Sequence, residues 1–496
     1  MCRTQIETTS GNLKGCLDMT NQTVVSFKGV PYARPPVGDL RFRAPVEFHA
    51  EKAVRYCGAF MPAPIQQEQR NIKKLPFPVS EDCLYLNIWA PAEEKGNLPV
   101  MVWFFGGGFT TGNAGDEEFE GTRMAEKGVI LVTVSYRVGV LGFLAYPPLY
   151  KDENKALGNY GILDQIQALK WIQKNIGAFG GNPNNITIFG QSAGGISCRI
   201  LLTSPLAEGL FQRAIIQSGG GLNEADPFRP TEEIAMMTEK ALQELGWTAA
   251  DLEERDAMEI NECLQKTVKD ILGPGELFFY QPCIDGYCLE DVPGKLIKRG
   301  LYHNADIICG TVTGDSWMFS RKLPNEIRAD MLSAGGFACS PQLSWAQNEI
   351  ENKGRKIYTY FFEREIPEAW NPEESSRFAH NGQGPVGKNA TPHGSEIVYV
   401  FGNLDKTKRK WTPYDRALSE TIQNYWCNFA RTGNPNGEGL KEWKPYTQGN
   451  KKMMHFGNES WKEKQFPENE RQQEIVNYTI AHPGMLEKWE GIEDGE

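Results

Sequence analysis

The strongest chemical signature lies in Ile186-Thr-Ile-Phe-Gly-Gln-Ser-Ala-Gly-Gly195. A β-branched run leads into Gly190-x-Ser192-x-Gly194, and an apolar segment from Ile196 to Leu202 follows. Strand, sharp turn and helix in that order lift a serine hydroxyl above a sheet edge and aim the N–H groups of a helix start at nearby negative charge. A serine mounted in this way attacks a carbonyl carbon. With 51 glycines in 496 residues the pattern alone arises easily by chance, so its partners must decide. Ser333-Ala-Gly-Gly336 repeats the last four residues, but Met331 occupies the place of the first glycine and no strand precedes it.

A serine nucleophile needs a base, and the chain has six histidines. His49 and His303 lie in polar, surface-like contexts, and His455 and His482 lie in the C-terminal tail. His380 and His393 remain, both after the strand expected at 356–362. His393 fits best, because Pro392 fixes the chain just before it and Gly394-Ser-Glu follows; His380 is the reserve. The acid that orients the imidazole is expected between serine and histidine in chain order. Asp315, a few residues beyond a strand at 305–312, meets that condition. Asp285, in the turn-like Ile-Asp-Gly, and Asp306, ahead of its strand, are its rivals. The oxyanion needs donors already in place. Phe105-Gly-Gly-Gly-Phe109 follows a buried strand and lets backbone N–H groups approach a substrate, and the Ala193 N–H completes a three-donor hole. No Lys-Ser/Thr follows these glycines and no Gly-x-Gly-x-x-Gly opens a helix, which argues against a nucleotide.

The elements that must position these groups read as α/β. Residues 23–32 form a strand, the Pro-rich stretch 33–45 leaves no room for a helix, and 83–90 alternates in part like a half-buried strand. Two continuous apolar runs, 100–105 and 129–134, are strands buried on both faces, the mark of a mainly parallel sheet covered by helices. A one-face helix at 162–176 precedes the strand at 186–189, and 214–219 is the next short strand. Residues 222–275 are helical, with Thr231-Glu-Glu-Ile opening one amphipathic helix and Thr248-x-x-Asp251 capping another. Strands at 305–312 and 356–362 return to the sheet, 366–392 is a long loop, and a helix at 416–432 closes the core. The expectation is one doubly wound α/β catalytic domain over 1–496, a central mostly parallel sheet flanked by helices, with helical cap-like insertions at about 222–280 and 320–350 over the active site.

Composition narrows the function classes. Lys and Arg number 52 against 63 Asp and Glu, a formal charge of −11 with a pI near 5.3, which argues against a nucleic-acid surface. No apolar run reaches the length of a membrane span. The N-terminus lacks a basic-then-apolar signal, so a cytoplasmic location is expected. The eleven cysteines are an odd number without C-x-x-C pairs or histidines at metal spacing, so at least one is free and no metal is expected. The chemistry calls for no cofactor. A small-molecule substrate and a monomer are the expectations for partners.

With these pieces placed, the chain resembles the type-B carboxylesterases of the α/β-hydrolase fold from about residue 5 to 450, closest in character to bacterial carboxylesterases of the para-nitrobenzyl-esterase kind. The resemblance rests on Phe27-Lys-Gly-Val-Pro-Tyr32, Pro35-Pro-Val-Gly38, Leu40-Arg-Phe42, Ser80-Glu-Asp-Cys-Leu-Tyr-Leu-Asn87, Gly106-Gly-Gly-Phe109, Gly158-Asn-Tyr-Gly-Ile-Leu-Asp-Gln165, Gly190-Gln-Ser-Ala-Gly-Gly195, Gln217-Ser-Gly219, Ile284-Asp-Gly286 and Tyr425-Trp-Cys-Asn-Phe-Ala430. It implies Ser192 as nucleophile, Asp315 as acid and His393 as base, with Gly107, Gly108 and Ala193 holding the oxyanion and Gln191 and Ser218 supporting the triad from behind. The implied activity is hydrolysis of short- to medium-chain acyl or aryl carboxylic esters. Feruloyl-type esters or amides on the same machinery are the alternative, and a catalytically silent binding protein like the neuroligin branch is the reading from another class.

Several positions depart from that pattern. The family usually has Glu where Asp315 stands, so the acid is about 1.5 Å shorter. The residue before the serine is usually Glu, whereas Gln191 is neutral, and Phe105 replaces the usual His or Tyr. Secreted members bridge the Cys83 position to a cysteine that aligns with Pro64. The resemblance therefore implies no such disulfide here, in keeping with an intracellular bacterial-type enzyme. Cholinesterases hold choline on a Trp in the stretch where residues 65–80 offer only Phe77, so a choline ester is not expected.

Overall fold

The apolar runs become neighbouring strands in the middle of one sheet. The structure is a computed structural model that describes residues 4–19, 22–49, 54–66, 78–93, 96–149, 158–221, 228–273, 279–315, 342–343, 345–346, 356–370, 391–466 and 470. Phe77, His380, the Ser333–Gly336 repeat and nearly all of 320–350 lie outside these residues.

In chain order the strands are β1 (Gln5–Thr8), β2 (Gly11–Lys14), β3 (Cys16–Leu17), β4 (Val24–Pro31), β5 (Val54–Tyr56), β6 (Ala63–Pro64), β7 (Val79–Ser80), β8 (Tyr85–Pro91), β9 (Leu98–Phe104), β10 (Ile130–Val134), β11 (Gly181–Gln191), β12 (Arg213–Gln217), β13 (Asp306–Val312), β14 (Ile357–Phe362), β15 (Lys452–Phe456) and β16 (Trp461–Gln465). Eleven of them make a sheet in the order β16-β15-β14-β13-β12-β11-β9-β10-β8-β4-β3. All pairs from β15 to β10 are parallel, and both edges are antiparallel. The helices are α1 (Thr122–Glu126), α2 (Gly139–Phe143), α3 (Tyr160–Asn175), α4 (Ala193–Thr203), α5 (Thr231–Leu245), α6 (Ala249–Glu254), α7 (Ala257–Leu272), α8 (Pro293–Lys298), α9 (Ile397–Phe401) and α10 (Pro413–Thr432).

The order β10-β9-β11 reverses the direction in which the chain adds strands. In an open parallel sheet, the crevice beyond the carboxyl ends of such a pair is where ligands bind. The glycine loop leaves β9 and the serine turn leaves β11, so both motifs open on that one crevice. Beneath it, Trp103 packs on Phe119, Phe189 and Phe401 with ring centroids 4.9–5.1 Å apart, tying β9 and β11 to α9. A buried ion pair, Arg137 Nε and Nη2 to Asp164 at 2.8 and 2.7 Å, fastens α3 to the chain just past β10.

The structure departs from sequence expectation in places. β8 is buried on both faces rather than one: it lies inside the sheet between β4 and β10, and every residue of it except Pro91 is buried. Asp315 belongs to a helical turn at 313–315 directly after β13. A single turn of 3-10 helix, Gly38–Leu40, interrupts the Pro-rich stretch. His455 is not in a tail: it lies in β15, 2 % exposed, with Nδ1 3.0 Å from Glu363 Oε2. Thr248 and Asp251 do form the expected reciprocal cap on α6, and α5 ends at Gly246 with φ 66°. The nine described cysteines are all free, and seven of them are buried.

Candidate active site

Ser192 stands between β11 and α4 with φ 57° and ψ −125°, a strained backbone for any residue with a Cβ. The strain is held by close contacts on both sides. A Cβ on Gly190 would strike the backbone of Gly194, and one on Gly194 would strike the Phe104 carbonyl. The Ser192 N–H donates to the Gln217 carbonyl at 2.9 Å, and its own carbonyl accepts from Ile196 N at 2.9 Å. The backbone is thus pinned from the neighbouring strand and from the helix, while the side chain remains partly open.

The glycine loop at 106–108 is as tightly fixed. The Gly107 carbonyl accepts from Thr110 N and Thr111 N, both at 3.1 Å, and from the Thr110 and Thr111 hydroxyls at 3.1 and 3.3 Å. Gly107 has φ 122°, open to glycine and strained for any L side chain, and a Cβ there would strike the Thr111 carbonyl. Gln66 clamps the far end of the loop, accepting from Gly112 N at 2.8 Å and donating to Gly112 O at 2.7 Å. Tyr136 Oη donates to the Phe105 carbonyl at 2.6 Å, and the two rings stack 4.2 Å apart. Gly107 and Gly108 are partly exposed. Among the described residues, none accepts from the N–H groups of Gly107, Gly108 or Ala193.

His393 and Asp315 come together as the chain order predicts. His393 Nδ1 and Asp315 Oδ1 are hydrogen-bonded to each other, and the Thr311 hydroxyl donates to Asp315 Oδ2, which also accepts from Val312 N at 3.2 Å. The two turns are joined directly: Gly314 N donates to the Thr391 carbonyl at 2.8 Å, and Thr391 Oγ1 donates to the Arg364 carbonyl at 2.9 Å. Burial works to raise the Asp315 pKa, but the His393 charge and the donors around the carboxyl outweigh it and hold it below the usual range. Burial likewise works to lower His393, and the adjoining Asp315 overrides it, so the imidazole titrates above its ordinary 6.5.

Gln191 is fully buried, and its amide nitrogen lies 3.0 Å from His393 Nε2 and 3.4 Å from Nδ1. A donor placed along the Nε2 lone pair would be far from Nδ1 across the ring, so the amide meets the face of the imidazole. Among the described residues, Nε2 and Ser192 Oγ share no hydrogen bond, a looseness common before substrate binds. Ser218, half-buried with φ 49°, adds to the field that keeps Asp315 ionised, although its Oγ makes no hydrogen bond of standard geometry among the described residues. Asp285 is spent on its own turn, accepting from the N–H groups of Tyr287, Cys288 and Leu289 at 2.8–3.0 Å, and Asp306 pairs with Arg213 at 3.4 Å. One carboxyl that sequence reasoning missed, Glu396, is buried close by; its only signal was the Gly394-Ser-Glu that follows His393.

Known proteins similar to this chain show its family. The model of the carboxylesterase family matches residues 3–338 and 329–475. The chain belongs to the carboxylesterase family. It is 33 % identical over 505 residues to the para-nitrobenzyl esterase of Bacillus subtilis, covering 95 % of this chain and 98 % of that one. It is also 33 % identical over 478 residues to the fumonisin B1 esterase of Sphingopyxis macrogoltabida, covering 90 % and 85 %. Among solved structures, a thermophilic para-nitrobenzyl esterase superposes with a TM-score of 0.79 at 29 % identity, over 95 % of this chain and 100 % of that one. A carboxylesterase of Geobacillus stearothermophilus gives 0.76 at 30 %, over 96 % and 100 %. The fold is the α/β-hydrolase fold, and this carboxylesterase is a carboxylic-ester hydrolase. Among the described residues, no helix is long and apolar enough to cross a membrane.

Proposed function

We propose that this carboxylesterase hydrolyses small carboxylic esters through Ser192, His393 and Asp315. His393 Nε2 takes the Ser192 proton as Oγ attacks the ester carbonyl, and the N–H groups of Gly107, Gly108 and Ala193 receive the oxyanion. The imidazolium then protonates the leaving alcohol. Water, activated by the same imidazole, releases the acid from the acyl-enzyme and restores the serine. Asp315 fixes the ring through Nδ1 and balances its charge. The observation that carries the reading is the convergence at one crevice of a strained serine, an Asp-bonded imidazole and three N–H groups without partners among the described residues.

The esters we assign are short- to medium-chain acyl or aryl esters, since relatives of this chain include a para-nitrobenzyl esterase. Feruloyl-type esters and amides differ only in the groups that fill the crevice. We further propose that residues 1–496 act as one catalytic domain, in which α5 to α7 form a wall of the substrate site. A fluorophosphonate probe tests the reading: covalent label on the peptide that contains Ser192 is expected. No label would favour a silent binding protein, and label on another serine would overturn the assignment.

A further inference from the structure

Glu396 lies three residues beyond His393 and is 1 % exposed. Its Oε1 accepts from Gln217 Nε2 at 3.5 Å, and its Oε2 is buried without a hydrogen-bond partner among the described residues. Gln217 is itself immobilised. Its Oε1 accepts from Trp426 Nε1 at 3.2 Å, its backbone pairs with Gln191 across β12 and β11, and its carbonyl receives the Ser192 N–H. The Glu396 backbone is fixed as well, because its carbonyl accepts from Tyr399 N and Val400 N at 3.1 and 3.0 Å in the turn that opens α9. The carboxyl is therefore built into the framework that holds the serine and the imidazole.

Two charged groups act on it, Asp315 from beyond β13 and His393 from its own turn, and Tyr360 of β14 is a third titratable neighbour. Gln217 of β12 faces it as a neutral group, itself held by Trp426 of α10. A buried carboxylate with an unpartnered oxygen beside a second carboxylate is costly. Burial first, and the Asp315 charge second, push Glu396 up to about 7. Glu396 in turn adds to the attraction that Asp315 exerts on the His393 proton.

We propose that Glu396 is a positioning residue of the hydrolytic site, a second carboxyl whose charge is coupled to the imidazolium of His393. The inference rests on the assignment of His393 as the base. Ionised, Glu396 stabilises the imidazolium that forms when the ring takes the Ser192 proton. Protonated, it leaves that task to Asp315 alone. A proton on Glu396 disfavours one on His393 and the reverse, so the two groups titrate as a pair and not as independent sites.

The test is the pH dependence of kcat/KM for p-nitrophenyl acetate. The wild-type acid limb should be broader than a single-proton curve, because negative coupling spreads the two protonations. Glu396→Gln keeps the shape and removes the charge. It should give a single-proton limb moved to lower pH by roughly half a unit to one unit, with plateau kcat lowered roughly 3- to 10-fold. A role in packing alone would lower the plateau and leave the limb in place. Superimposable limbs in the two proteins would overturn the proposal. If Glu396→Gln does not fold, the wild-type limb decides, and a single-proton curve overturns it. A Ser192→Ala control separates the two layers: activity surviving in that variant defeats the triad itself, whereas its loss together with unmoved limbs defeats only the role of Glu396.

Discussion

The amide nitrogen of Gln191 lies over the imidazole of His393, 3.0 Å from Nε2 and 3.4 Å from Nδ1. A neutral group thus occupies the face of the ring on which positive charge develops. Gln191→Glu would put a carboxylate there and favour the charged ring. The proposed mechanism needs the neutral imidazole, and His393 already titrates above 6.5, so on that mechanism activity falls as pH drops through the raised value. The variant should move the acid limb of kcat/KM upward by roughly a unit. Rates measured across the limb check this, and an unmoved limb would show that Gln191 does not touch the ring in solution.

Asp315 is buried, with Oδ1 on His393 and Oδ2 already committed to Thr311 and Val312. Asp315→Asn should leave the fold intact and lower kcat by about 10³- to 10⁴-fold, because an amide favours the wrong imidazole tautomer. Asp315→Glu adds a methylene to a filled site and should cost about 1–3 kcal/mol of stability together with activity. Steady-state kinetics and thermal melts of both variants check this. A fully active, equally stable Asp315→Glu would show that the turn at 313–315 adapts.

Gly107→Ala brings a Cβ against the Thr111 carbonyl at φ 122°. The loop must shift, and its N–H groups with it, so kcat should fall by about 10²-fold or more with little change in KM. Kinetics with a short p-nitrophenyl ester read the split. A fall confined to KM would place these N–H groups outside the oxyanion hole.

Arg364 forms a two-bond pair with Asp415, Nε to Oδ1 at 2.7 Å and Nη2 to Oδ2 at 3.1 Å, and Tyr399 Oη donates to Oδ1 at 2.7 Å. Burial works to raise Asp415, and these donors, led by Arg364, hold it below its ordinary value. A depressed carboxyl contributes stability that is present above its unfolded pKa and lost as pH falls through the folded one. Asp415→Asn should therefore cost about 3 kcal/mol or more at neutral pH, and the deficit should shrink in acid. Urea melts at both pH values check this, and a deficit independent of pH would assign the loss to packing.

Where the backbone itself dictates structure, the sequence was readable. Gly190 and Gly194 bracket Ser192 because their neighbours leave no room for a Cβ, and the apolar runs at 100–105 and 129–134 announced buried parallel strands. Chain order then brought Asp315 and His393 to one another. Through-space relations were not readable. Nothing local told that Gln191 would lie on the imidazole face or that Glu396 would be buried against Gln217. β15, Lys-Met-Met-His-Phe, has too little alternation to announce a strand, yet parallel pairing with β14 buries His455 within it. The first turn of β11, Gly181-Asn-Pro-Asn-Asn185, reads as loop, and it joins the sheet only through an irregular register with β9.

The central claim is that Ser192 carries the acyl group. Its most direct test is Ser192→Ala, purified with an unchanged melting profile, assayed on p-nitrophenyl acetate. A fall in kcat of about 10⁴-fold or more is predicted, leaving only what the oxyanion N–H groups and substrate binding supply. Hydrolysis at the wild-type rate would contradict the account.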